Sequence, residues 1–109
     1  MTAKTTIKVF IPSGAGAPGF AGIVRCLRKD SRIEIFAGDT NPNPYGKVLA
    51  NEFFVMPPSS DDQYIDKVVQ ICKDKHIDVL LPITTRELVP LSMHKSQIES
   101  VGTKVIISD

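Results

Sequence analysis

The sequence predicts an α/β domain, a three-layer, doubly wound parallel sheet of about five strands in the order 3-2-1-4-5. Three observations predict it. Short apolar runs alternate along the chain with segments whose apolar residues fall at helical spacing. The run Ile7-Lys8-Val9-Phe10-Ile11 is apolar on both faces, as a central parallel strand must be when helices cover each side. Pro12, Pro57 and Pro82 each close a run, which fits strands that stop sharply.

The bulk composition narrows the class. At 109 residues the chain is one domain, long enough for a single core. With 42% apolar and 23% charged residues and a formal net charge of +1, it is neither disordered nor basic enough to suggest nucleic acid. Cys26 and Cys72 sit among apolar residues of expected helices and are read as reduced, buried thiols. The polar start Met1–Thr6 does not resemble a signal peptide, and no apolar run is long enough to span a bilayer. A cytoplasmic protein is expected, with no membrane and no nucleic-acid partner.

The first strand is expected over Thr5–Ile11, followed by the glycine-rich turn Ser13–Gly19. Pro18 stands where a first-turn proline is tolerated. Phe20, Ile23, Val24 and Leu27 then make one apolar helical stripe, with Arg25, Arg28 and Lys29 on its wetter side. The second strand is Ile33–Ala37, ending at Gly38-Asp39, and Asn41-Pro42-Asn43-Pro44 is a loop. Gly46–Asn51 reads as one short helical turn. The brief strand within Glu52–Met56 suits a sheet edge, where flanking prolines do little harm.

Ser59-Ser60-Asp61-Asp62 offers caps for a helix carrying Ile65, Val68, Val69 and Cys72 and ending near Lys75. Asp78–Leu81 is the fourth strand. Thr84 and Glu87 have capping-box spacing, yet Pro90 would then fall in the second turn. Either a distorted first turn or a helix starting near Pro90 is therefore expected. Gly102 stops that segment, and Lys104–Ile107 is the fifth strand. Right-handed crossovers give the strand order above, and ligands of this architecture bind at the reversal beside the first and fourth strands.

Candidate site residues cluster there. Gly14, Gly16 and Gly19 spell G-x-G-x-x-G after a strand, with Asp39 twenty residues beyond the last of them. Gly14, Ala15 and Gly16 can aim backbone N–H groups at an anion, or can simply permit a sharp turn. Asp39 can meet a ribose hydroxyl, or can organise an Asx turn over Thr40-Asn41-Pro42. Arg86 and Glu87, past the fourth strand, can address the amine or carboxylate of a small substrate, or serve only as a solvated arginine and a cap. His76 and His94 lack ligand spacing, and no nucleophile–base set, metal cluster or Walker lysine appears.

The succession of these segments resembles the amino-terminal (pre-ATP-grasp) domain of ATP-grasp ligases, most of all proteins like the carbamoyl-phosphate synthase large subunit. Carrying the likeness are Ile7–Ile11 running into Ser13-Gly14-Ala15-Gly16, Ile35–Asp39 with the Asn-Pro loop, and Glu52–Pro57. Asp78–Pro82 with Glu87 beyond, and Gly102–Ser108, complete it. The resemblance implies a Rossmann-like wall of an active site in which ATP activates a carboxylate to an acyl phosphate that an amine or ammonia attacks. It implies that Gly14, Ala15, Gly16 and Glu87, with Arg86 beside them, hold the non-nucleotide substrate. It places ATP and magnesium on lobes that would begin beyond Asp109, so this chain, residues 1–109, is expected to bind no cofactor and to catalyse nothing alone. Relatives often carry an acid nearer the proline, whereas Thr84, Thr85 and Arg86 intervene here. The expected partners are the ATP-grasp domain in cis and a small carboxylate or amine, with a homodimer through the face that domain would cover. The alternative is an NAD(P)-binding Rossmann domain using Gly14-x-Gly16-x-x-Gly19 and Asp39; a protein-interaction module is a third.

Overall fold

A computed structural model describes residues 6–107. The strands are β1 (Ile7–Ile11), β2 (Ile33–Asp39), β3 (Glu52–Val55), β4 (Val79–Leu80) and β5 (Lys104–Val105). They form one five-stranded sheet, ordered β3-β2-β1-β4-β5, and every pairing is parallel. The expected class and order hold. The expected start of the first strand at Thr5 and the end of the chain at Ser108-Asp109 lie outside the described residues. Strands β4 and β5 are shorter than expected, with pairing confined to Val79–Leu80 against β1 and β5.

Alternating side chains of the central strand feed two cores. Val9 and Ile11 pack with Phe20 and Val24 of α1 (Phe20–Leu27) on one face. Phe10 packs on the other with Tyr64, Val68 and Cys72 of α2 (Gln63–Asp74). Leu91 of α3 (Thr85–Met93) and Ile98 of α4 (Lys95–Glu99) join that second core. Burying one such side chain stabilises the fold by about 1.5–3 kcal/mol, so strand residues apolar on both sides are what a three-layer sheet requires.

Several local expectations hold with shifted bounds. Pro18 precedes the helix instead of opening it, because Gly19 is the N-cap of α1. The segment after the Asn-Pro loop is a 3-10 turn, Tyr45–Leu49. Of the four expected capping residues Asp62 is the N-cap of α2, and Asp61 beside it accepts the Gln63 N–H on Oδ1 at 2.7 Å.

Helix α3 begins at Thr85 and runs through Pro90. A proline there leaves the Arg86 carbonyl without its intrahelical N–H. The Ser59 hydroxyl donates to that carbonyl at 3.3 Å, which is how the helix tolerates the ring. His94, at φ −115°, separates α3 from α4.

Cys72 is buried as expected, and burial pushes its thiol up to about 11. Cys26 is exposed, because it turns away from the Phe20–Val24 stripe of α1. With a thiol reagent at pH 8, Cys26 should therefore react at once, and Cys72 only as the fold opens. Two fast-reacting thiols per native chain would contradict this burial. No helix among the described residues is long and apolar enough to cross a membrane.

Candidate functional site

The carboxyl ends of the parallel strands open into a cleft of about 820 Å³ at the point where the strand order reverses. One wall is the turn after β1, with Ser13, Gly14 and Gly16; the other is the start of α3, with Thr84 and Arg86. Asp39 and Asn41 after β2, and Ser59 and Ser60 after β3, form its floor and rim.

The glycine turn is shaped by close approach. Gly14 has φ +97°, and a Cβ there would lie 2.9 Å from Ile83 Cδ1 and 3.1 Å from Thr84 Cγ2, so the two walls touch across glycine. Gly16 donates its N–H to Asp39 Oδ2 at 2.8 Å, and Asp39 Oδ1 accepts the Asn41 N–H at 2.9 Å. Asp39 thus makes the Asx turn and braces the glycine turn at once. In a dinucleotide site the second glycine approaches pyrophosphate. Here an aspartate carboxylate already occupies that N–H, which would repel a phosphate. Gly19 has open space where its Cβ would stand, so it does not serve the helix–strand packing of that fingerprint either. The geometry does not fit the dinucleotide alternative.

Of the expected contact residues, Gly14, Gly16 and Arg86 line the cleft, and Arg86 is exposed there. Ala15 does not face it. Its side chain is fully buried, its N–H points to the Gly38 carbonyl at 3.4 Å, and its carbonyl accepts the Gly46 N–H at 3.1 Å.

Glu87 also turns inward and is fully buried. Its Oε1 accepts the Tyr64 hydroxyl at 2.8 Å, and its Oε2 accepts the Thr84 hydroxyl at 2.8 Å and the N–H groups of Thr84 and Ile83 at 2.9 and 3.0 Å. A buried carboxylate persists because donors surround it, and here they come from α2, the loop after β4 and the N-cap of α3. Direct contact between Glu87 and a ligand is thereby corrected to a role beneath the cleft wall. Burial, with the charge of Glu87 added, pushes the Tyr64 phenol far above its usual range, so it stays a donor.

Residues that sequence reasoning did not single out complete the site. Tyr64 and Ser59 tie it together, and Ser13 lines it beside Gly14. Among the described residues no group of three His, Cys, Asp or Glu side chains could hold a metal ion. A second, apolar hollow of about 490 Å³ lies beside the cleft between α3 and the end of β5, lined by Leu88, Val89, Met93 and Ile106.

A family model described as "PylC-like, N-terminal domain" matches residues 17–106. The chain belongs to the PylC-like N-terminal domain family. The match takes in the α3 wall and the loop after β2, and begins just past Gly14 and Gly16 of the other wall. No curated protein matches this PylC-like domain. Among solved structures it is similar to the biotin carboxylase subunit of pyruvate carboxylase, with a TM-score of 0.68 and 18% identity over 93% of this chain and 22% of that one. It is also similar to N5-carboxyaminoimidazole ribonucleotide synthetase from Thermotoga maritima, with a TM-score of 0.61 and 20% identity over 92% of this chain and 24% of that one. At such identities the likeness is one of fold. Both are ATP-grasp ligases, and the PylC-like domain has the fold of their amino-terminal, pre-ATP-grasp part. It spans less than a quarter of either protein's length.

Proposed function

We propose that this domain forms the substrate-side wall of an ATP-dependent ligase that activates a carboxylate as an acyl phosphate for attack by an amine or ammonia, in the manner of carbamoyl-phosphate synthase. The observation that carries the reading is the open cleft at the strand reversal of a PylC-like domain, built from the glycine turn and Arg86. ATP and magnesium belong to ATP-grasp lobes joined in cis, and the chain alone is inactive. Those lobes are the natural occupant of the apolar hollow, where the exposed side chains of Leu88, Val89, Met93 and Ile106 come together. Two copies of the chain would meet on the same face where the lobes are lacking. A cytoplasmic, small-molecule ligase is the setting that fits.

The alternative of a nucleotide site in this chain is tested directly. Calorimetry with ATP and with NAD is expected to show no saturable heat, and the chain alone should release no ADP. Joined in cis to its lobes, ADP release should require a carboxylate and an amine together. Saturable micromolar binding of either nucleotide to the chain would overturn the reading.

A further inference from the structure

Three successive N–H groups of the glycine turn are spent within the protein. Ala15 donates to the Gly38 carbonyl at 3.4 Å, Gly16 to Asp39 Oδ2 at 2.8 Å and Ala17 to the Gly14 carbonyl at 2.8 Å. That run therefore has no free N–H groups with which to cradle an anion, the usual use of a glycine turn at this place. The turn carries its own carboxylate instead. Asp39 Oδ1 takes one further N–H, from Asn41, so the two oxygens keep about half of their acceptor capacity.

Asp39 and Arg86 are the only charged side chains among the described lining residues of the cleft. One is braced against the glycine turn and the other stands on the α3 wall. They are not joined to each other or to any other charge, because the ion pairs among the described residues are Arg32 with Asp30 and Lys75 with Glu52. The cleft thus has a negative side and a positive side, each uncompensated. A ligand carboxylate is drawn to the guanidinium, which can meet it with two parallel N–H bonds. A second anionic group reaching the glycine turn would stand against Asp39, where like charges repel more strongly than in open water.

We propose that Asp39 is a specificity-determining residue of the cleft: it bars anionic groups from the glycine turn and so orients a carboxylate ligand with its charge on Arg86. The end of the ligand that reaches the turn then bears no negative charge. Molecules with one carboxylate are admitted, and dicarboxylates and phosphorylated molecules are refused. This rests on the reading of the domain as a substrate wall and gives that wall a direction.

An NMR titration of the chain at pH 7 with butanoate and with succinate, which share a four-carbon skeleton and differ by one carboxylate, tests the assignment. Butanoate should shift the Thr84 and Arg86 amides saturably, with a Kd about tenfold below that of succinate. Asp39→Asn removes the charge and keeps an oxygen that can accept one of the two N–H groups. Succinate should then gain about tenfold, while butanoate stays within about twofold of its wild-type Kd. Arg86→Gln, at an exposed side chain, should weaken both probes by about tenfold. An Asp39 that only shapes the turn would, once substituted, weaken both probes alike and leave their ratio unchanged, which overturns the inference. So does a wild-type preference for succinate, an Arg86→Gln variant that binds as the wild type does, or a wild type that responds to neither probe. The wild-type ratio and the Arg86→Gln loss decide the outcome even where Asp39→Asn does not fold. Release of ADP by the domain joined to its lobes is read separately, so the two readings fail separately.

Discussion

Gly46→Ala should destabilise the chain by about 3 kcal/mol, enough to lower the melting temperature by roughly 10–20 °C in a domain of this size. Gly46 is buried in the 3-10 turn, and a Cβ there would press on the Ala15 carbonyl oxygen and come within 2.6 Å of Phe20 Cδ2. Neither neighbour can give way. The carbonyl accepts the Gly46 N–H and belongs to the glycine turn, and Phe20 is fully buried in the first core. The methyl would therefore push the glycine turn and α1 apart, and the cleft wall would move with them. Gly22→Ala is the matched control. That residue is exposed within α1 with nothing near its Cβ, so alanine should stabilise by about 0.5–1 kcal/mol through helix propensity. Thermal melts of the two variants check the pair, and equal melting temperatures would contradict the packing described for Gly46.

Glu87→Ala should cost about 3–5 kcal/mol in urea denaturation, because it strands the Tyr64 hydroxyl and two backbone N–H groups inside the protein. Glu87→Gln keeps the shape but turns an amide N–H toward donors, and about 2 kcal/mol is expected. Tyr64→Phe alone should cost about 1 kcal/mol, and combined with Glu87→Gln the losses should fall short of their sum, since both act on one hydrogen bond. Strict additivity would mean that the Tyr64–Glu87 bond carries no weight.

Much of the fold was legible because burial dictates composition locally. A strand covered on both faces must be apolar at successive positions, as Val9-Phe10-Ile11 is, and a helix on a sheet must repeat its stripe, as Phe20, Val24 and Leu27 do. The position of the cleft followed from strand order. The orientation of its side chains did not, because that depends on partners far away in the chain. Thr84 and Glu87 showed capping-box spacing, and the structure displays that bland reading in strengthened form. What turned Glu87 from a ligand contact into a buried acceptor is Tyr64, a residue of another helix. Pro90 was awkward within α3 only until the Ser59 hydroxyl arrived from beyond β3 to satisfy the Arg86 carbonyl. Cys26 was misjudged because apolar neighbours in sequence do not share its side of the helix.

The sheet itself is lopsided. Strands β1 and β2 are in register over five residue pairs, from Ile7 with Ile33 to Ile11 with Ala37, whereas β4 meets β1 and β5 through two pairs each. The glycine turn and Asp39 therefore stand on a long ladder, while Thr84 and Arg86 stand on a short one. Mechanically the cleft is a vice with one stiff jaw and one compliant jaw. The buried knot at Glu87, tying the compliant jaw to α2, is what keeps it from swinging loose.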